Sequence, residues 1–250
     1  MLNPTYQLPV RVHEDREALG IAAARDIGDA LARRLASQPA ARVIFASAPS
    51  QEATLRHLAK HPGIDWARVT AFHMDEYLGL APDAPQRFGT WLCRTLFDHV
   101  PVGTVHLIDP GGDPQAAADQ YAALLAAAPA DLVCLGIGVN GHIAFNDPPA
   151  DFDDPALVKV VTLDQASRVQ QVDDGCFAAL DEVPARAVTL TIPALLSGAE
   201  LFCIVPGANK KRAVTAALHG PVTGLVPASA LRTHPRCTLY LDKESAPDAS

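Results

Sequence analysis

Four short apolar runs constrain this chain more than any other feature, because each delivers a polar cluster at its C-terminal end. Residues 42–46 run into Ser47-Ala48-Pro49-Ser50, and residues 69–73 into Met74-Asp75-Glu76-Tyr77. Residues 131–134 lead to Asn140-Gly141-His142, and residues 201–205 to Pro206-Gly207-Ala208-Asn209-Lys210. Helical spacing separates the runs. In residues 14–36, Leu19, Ala22, Ala23, Ile27, Ala30, Leu31 and Leu35 recur at three and four residues. Residues 51–60, 86–97, 114–127 and 209–218 read as further helices, with short turns of helix after Pro193 and at 228–231. Residues 105–107, 158–163, 187–192 and 238–241 read as additional strands. Strands alternating with helices mean an α/β fold with a mainly parallel sheet and helices on both faces. Loops are expected at residues 109–113 and, as an acidic flap, at 151–155. The tail from Lys243 reads as frayed. With no repeat, low-complexity block or linker, residues 1–250 are expected to form one domain.

The length of 250 residues suits one large domain, and 49% hydrophobic content is ample for a core. Net charge is −8 with lysine and arginine scattered, which argues against a nucleic-acid surface but not against a small anionic substrate. The N-terminus shows no secretory signal, and no apolar run reaches about 18 residues, so no membrane span is expected. Cys93, Cys134, Cys176, Cys203 and Cys237 are odd in number and widely spaced. A reduced, cytoplasmic protein is the simple expectation.

The organising stretch is Leu135-Gly136-Ile137-Gly138-Val139-Asn140-Gly141-His142-Ile143-Ala144-Phe145-Asn146-Asp147-Pro148-Pro149. Gly136, Gly138 and Gly141 satisfy the G-x-G-x-x-G dinucleotide fingerprint, but that motif needs a helix opening from the turn. Pro148 and Pro149 follow too soon for a crossover helix to start at Gly141 and run on. Polar groups crowded at the end of a buried parallel strand point instead to a ligand site. A histidine that packs inside a tight turn is the plainer alternative.

The other strand ends carry similar pairs of readings. Ser47-Ala48-Pro49-Ser50 ahead of a helix outlines an anion site, or plain N-capping by Ser50. Lys210, in the first turn of its helix, opposes the dipole; it either holds an anion or is an ordinary solvated lysine. Asp75 and Glu76 are adjacent carboxylates, and neighbours on a strand point opposite ways, so only one need face a cleft. His57 and His61 have metal-pair spacing, but Leu58 and Pro62 spoil a zincin pattern, and a surface pair is expected.

Taken together, these segments resemble the glucosamine-6-phosphate deaminase family. Met74-Asp75-Glu76-Tyr77-Leu78-Gly79-Leu80 is similar to its M-D-E-Y-x-G-L segment, and residues 136–148 to its G-x-G-x-[DN]-G-H-I-A-F-N-E-P segment. Residues 205–210 resemble its glycine-to-lysine turn, and residues 228–235 its late A-S-x-L-Q-x-H segment. The resemblance implies a Rossmann-like fold and conversion of glucosamine 6-phosphate and water to fructose 6-phosphate and ammonia. Asp75 would move a proton between C2 and C1 through an enediol. His142 would assist ring opening, with Asn140 and Asp147 orienting it. Lys210 and the Ser47 to Ser50 turn would hold the 6-phosphate, with Gly141 and Arg168 completing the substrate contacts. No metal or organic cofactor is implied, the expected partner is a small sugar phosphate, and a homo-oligomer is compatible. The sequence departs from the family pattern at Asn140, where many members carry Asp, and at Asp147, where Glu is usual. It departs again at Ser47-Ala48-Pro49-Ser50, which replaces a T-G-G-[ST] turn and loses two glycines and one N–H donor. Alternatives are an enzyme for another amino-sugar phosphate, a 6-phosphogluconolactonase, and a non-catalytic sugar-phosphate-binding regulator.

Overall fold

The structure, a computed structural model, describes residues 5–109 and 111–248; residues 1–4, Pro110 (within the expected loop) and the last two residues lie outside it. The chain begins with β1 (Val10–His13), α1 (Arg16–Ser37), β2 (Ala41–Phe45), α2 (Glu52–Leu58), β3 (Val69–His73) and β4 (Asp75–Tyr77). It continues with α3 (Phe88–Thr95), β5 (Thr104–His106), α4 (Pro114–Ala126), β6 (Leu132–Leu135), β7 (Val158–Thr162) and α5 (Gln165–Asp173). It closes with β8 (Arg186–Leu190), α6 (Ile192–Leu196), β9 (Glu200–Val205), α7 (Lys211–His219) and β10 (Cys237–Asp242).

Seven strands form one sheet in the order β1-β10-β9-β6-β2-β3-β5, and every neighbouring pair is parallel. Strand periodicity explains the two-faced burial. Ile44 of β2, Val133 and Leu135 of β6, and Leu201, Cys203 and Val205 of β9 point into one core with residues of α4, α6 and α7. Their alternate neighbours Val43, Phe45, Leu132, Cys134, Phe202 and Ile204 point into a second core with α1, α2 and α3. Near-continuous apolar runs are what a sheet covered on both faces requires.

The chain winds outward from β2 through β3 to β5, and in the other direction from β6 through β9 to β10. The order therefore reverses between β2 and β6, and in open α/β sheets the crevice at such a reversal is the ligand site. A smaller antiparallel sheet, β4-β8-β7, stands beside it over a third core of Tyr77, Phe88, Phe145, Leu163, Phe177, Val183 and Ala187.

Four expectations need correcting. The edge strand β1, the strand β4 and the helix α5 were not expected. The tail is not frayed as far as Asp248: Ser245 is fully buried, and its backbone N–H donates to Asp242 at 2.8 Å. Among the described residues no helix is long and apolar enough to cross a membrane.

Candidate active site

A small cleft of about 70 Å³ opens at the switch point. Ser47 and Ser50 after β2, Asp75 after β3, His142 after β6 and Lys210 after β9 all line it. Five of the expected residues thus meet because the parallel strands end at one edge. Ser50 does not cap α2 with its side chain; a 3-10 turn, Pro49–Gln51, leads into the helix instead. Ser47 Oγ is buried with no hydrogen-bond partner among the described residues, an open donor and acceptor at the cleft wall.

The adjacent carboxylates divide their directions. Asp75 lines the cleft. Glu76 turns away and accepts from the backbone N–H groups of Phe88 and Gly89, each at 3.0 Å, at the start of α3. Burial, and then the neighbouring Glu76 carboxyl, hold Asp75 well above the usual carboxylate range. Burial raises Glu76 as well, against the lowering effect of Gly89, Phe88, Arg87 and Tyr77. His73, at the end of β3, is a framework residue: its Nε2 accepts from Ile108 N at 2.7 Å. Burial and the Arg87 charge lower it to about 3, so it is neutral.

His142 rests on Gly138. A Cβ added at Gly138 would lie 2.1 Å from His142 Nε2 and Cε1, so the second glycine of the apparent dinucleotide fingerprint makes room for an imidazole ring. Around the ring's Nδ1 lies a polar group of three. Ser167 Oγ is 2.7 Å away and Asp147 Oδ1 is 3.3 Å away. Ser167 Oγ also donates to Asp147 Oδ1. Asn140 sits beside this group. Its Nδ2 donates to Asp147 Oδ1 at 3.0 Å, and its Oδ1 accepts from the His142 backbone N–H at 3.1 Å. It touches the ring through Asp147 rather than directly, and an aspartate there would set two carboxylates against each other. Burial would raise Asp147, but bonds to His142, Ser167 and Asn140 outweigh it and hold the carboxyl below its usual range.

Lys210 is buried, at 5% exposure. Burial pushes it down to about 8, with Asp174 pulling the other way. Its position depends on Gly207, whose φ of +100° opens the turn and whose N–H donates to both Asp242 oxygens at 3.1 and 2.9 Å.

Four expected residues are not on the cleft wall: Asn140 and Asp147 stand behind the histidine, and Arg168 and Gly141 lie elsewhere. Arg168 donates from Nη2 to the carbonyls of Leu180 and Val183, at 2.7 and 2.9 Å, and so ties down a loop. Gly141, at φ +89°, shapes the turn, and its carbonyl accepts from Ala228 N at 2.8 Å. The polar residues not foreseen lie mainly on or just after α5: Ser167 behind the histidine, and Gln170, Gln171 and Asp174 on the cleft wall together with Gln51. Asp164 was the available signal, since it caps α5 by accepting from Ala166 N.

The histidine pair resolves into two separate contacts, His57 with Glu17 at 2.7 Å and His61 with Asp29 at 3.3 Å. Among the described residues no group of three or more metal-ligating side chains converges.

An α/β sheet with an acid–base pair and a buried lysine at its switch point has close relatives. The model for glucosamine-6-phosphate isomerases and 6-phosphogluconolactonases matches residues 14–240, and the chain belongs to that family. The glucosamine-6-phosphate deaminase of Lactobacillus delbrueckii subsp. bulgaricus is 35% identical over 184 residues, 73% of this chain and 77% of that protein. The enzyme of the same name from Halothermothrix orenii is 35% identical over 196 residues, 77% of this chain and 80% of that one. Among solved structures, a monomeric glucosamine-6-phosphate deaminase superposes with a TM-score of 0.87 at 28% identity, covering 95% of this chain and 98% of its own. A 6-phosphogluconolactonase from Thermotoga maritima shares the fold, with a TM-score of 0.77 at 20% identity over 94% of this chain and all of that one.

Proposed function

We propose that this chain is an amino-sugar-phosphate deaminase that converts glucosamine 6-phosphate and water to fructose 6-phosphate and ammonia. The observation that carries the reading is the pairing, in one cleft, of a buried Asp75 carboxyl with His142, whose Nδ1 lies 3.3 Å from the Asp147 carboxylate behind it. Aldose–ketose chemistry needs two proton-transfer stations of different kinds. The histidine takes the O1 proton of the cyclic sugar and returns a proton to the ring oxygen, which frees the C1 aldehyde. Only then is the C2–H acidic. Asp75 removes it while a proton of the C2 ammonium passes to O1, giving an enolamine; the proton on Asp75 then returns to C1 and leaves an iminium at C2. Water adds to the iminium and ammonia leaves. A carboxyl held above its usual range is a stronger base once ionised, which suits carbon acids. Lys210 and the free Ser47 hydroxyl form the phosphate end, where a cation and an unsatisfied donor suit a dianion.

Ammonia release from glucosamine, galactosamine and mannosamine 6-phosphates tests the reading, with 6-phosphogluconolactone as the hydrolysis control. Ammonia is expected from the gluco compound, with deuterium at C1 of the product when the reaction runs in heavy water. No ammonia from any of the three would end it. The free cysteines fit a reducing compartment, and we place the enzyme in the cytoplasm as one domain.

A further inference from the structure

We propose that Ser167 is a positioning residue that sets which nitrogen of His142 faces the substrate. The inference rests on the deaminase reading for its kinetic consequence, but not for its structural content.

The argument is a count of protons. Asp147 already accepts from Asn140 Nδ2 at 3.0 Å and from Asp164 N at 2.9 Å, and is held below the usual carboxylate range. It is therefore an ionised acceptor. Ser167 is fully buried and has one hydroxyl proton. Its Oγ contacts both Asp147 Oδ1 and His142 Nδ1. If that proton pointed at the histidine, two lone-pair oxygens would face each other across the Ser167–Asp147 contact. The proton must go to Asp147, so the bond to His142 requires Nδ1–H as its donor. A neutral His142 then carries its lone pair on Nε2, the nitrogen that must accept the O1 proton of the sugar. When Nε2 is protonated, Nδ1–H still points at Ser167 Oγ and the Asp147 carboxylate. The hydroxyl thus sits between histidine and carboxylate and spans a direct Nδ1 to Oδ1 separation of 3.3 Å. This also gives the Asp147 departure a physical account, since the serine hydroxyl reaches the ring where the shorter acid approaches it less closely.

Ser167→Ala removes the bridge with little risk to the fold, and Ser167→Thr restores the hydroxyl. Two measurements are made. The first is the ¹⁵N spectrum of histidine-labelled protein, with His142 assigned by its loss in His142→Gln. The wild type is expected to show protonated Nδ1 and bare Nε2, and Ser167→Ala a mixture of tautomers. The second is the kinetic effect of deuterium at C2 of glucosamine 6-phosphate. For Ser167→Ala, kcat should fall roughly 10- to 100-fold, part of the 10²–10⁴ that positioned proton transfer contributes, with KM little changed. The isotope effect should shrink, because ring opening becomes slow relative to C2–H cleavage, and Ser167→Thr should recover both. A wild-type His142 protonated on Nε2 overturns the proposal, as does a Ser167→Ala enzyme with an unchanged isotope effect. If the wild type releases no ammonia, the deaminase reading fails, and the tautomer spectrum alone decides for or against Ser167.

Discussion

At the scale of single residues, chemistry here depends on what each reactive group leans on. Gly138 illustrates this. With the His142 ring 2.1 Å from where a Cβ would stand, Gly138→Ala must push the ring out of place. Misplacing a reacting group by about 1 Å costs on the order of 100-fold, and that loss in kcat is the expected outcome, measured by ammonia release. The thermal melting point should fall only modestly. Activity within a small factor of wild type would mean that the ring position is not critical. Lys210 makes a second case. Lowered to about 8 by burial, its ammonium is complete below that pH and is lost as pH rises through it. The kcat/KM for a phosphorylated substrate should therefore fall through an alkaline limb near pH 8, the free-enzyme value. Lys210→Arg should move that limb upward, since a guanidinium stays charged. Lys210→Ala should raise KM far more than it lowers kcat, as uniform binding remote from C1 and C2 predicts. An alkaline limb unchanged in Lys210→Arg would assign it to another group.

Elements hold these residues through their ends. The start of α3 has no side-chain cap of its own; Glu76, from β4, accepts the N–H groups of Phe88 and Gly89. One short strand therefore serves two purposes, with Asp75 toward the cleft and Glu76 anchoring a helix, as the strand's alternation requires. Glu76→Ala takes the acceptor from the N–H groups of Tyr77, Phe88 and Gly89 and removes a buried carboxylate 3.6 Å from Arg87. A loss of about 2–4 kcal/mol in urea unfolding is expected, and Glu76→Gln, which keeps one acceptor, should lose less. Equal stability of Glu76→Ala and wild type would show that α3 does not depend on this anchor.

For the whole molecule, the site sets function against stability. Asp75 is buried beside another carboxyl and held well above its usual range. Between the unfolded and folded values the native state binds more protons, so stability falls as pH rises through that window. Asp75→Asn removes this cost. The variant should melt a few degrees above wild type at neutral to alkaline pH, with the difference closing as pH falls into the ordinary carboxylate range. The same variant should lose turnover yet still bind the sugar phosphate. An Asp75→Asn protein that melts lower at every pH would mean the carboxylate is a structural group. The arrangement is possible because the reversal between β2 and β6 gathers four strand ends, while the two cores on either face of the sheet supply the stability that the cleft gives up.

The sheet and the strand ends that carry function were readable from local pattern alone. Period-2 and period-3.6 patterns and turn residues are local signals, so the runs that became β2, β3, β6 and β9 were legible, together with Ser47, Ser50, Asp75, His142 and Lys210 at their C-terminal ends. Which carboxyl of the Asp75–Glu76 pair meets the cleft depends on the folded chain, because the N–H donors that hold Glu76 belong to a helix start a dozen residues on. Arg168 shows the same limit: its residue type suggested a ligand, yet the nearest acceptors are the carbonyls of Leu180 and Val183. Helix α5 escaped notice because its buried face is polar, with Ser167, Gln170 and Gln171. Such a face is buried only because a polar cleft lies opposite it. Strand β1 is short and exposed at the sheet edge, so it lacks the apolar run that marks an interior strand. Ser167 lies 25 residues from the histidine it contacts, and a hydrogen bond across that separation leaves no trace in local pattern.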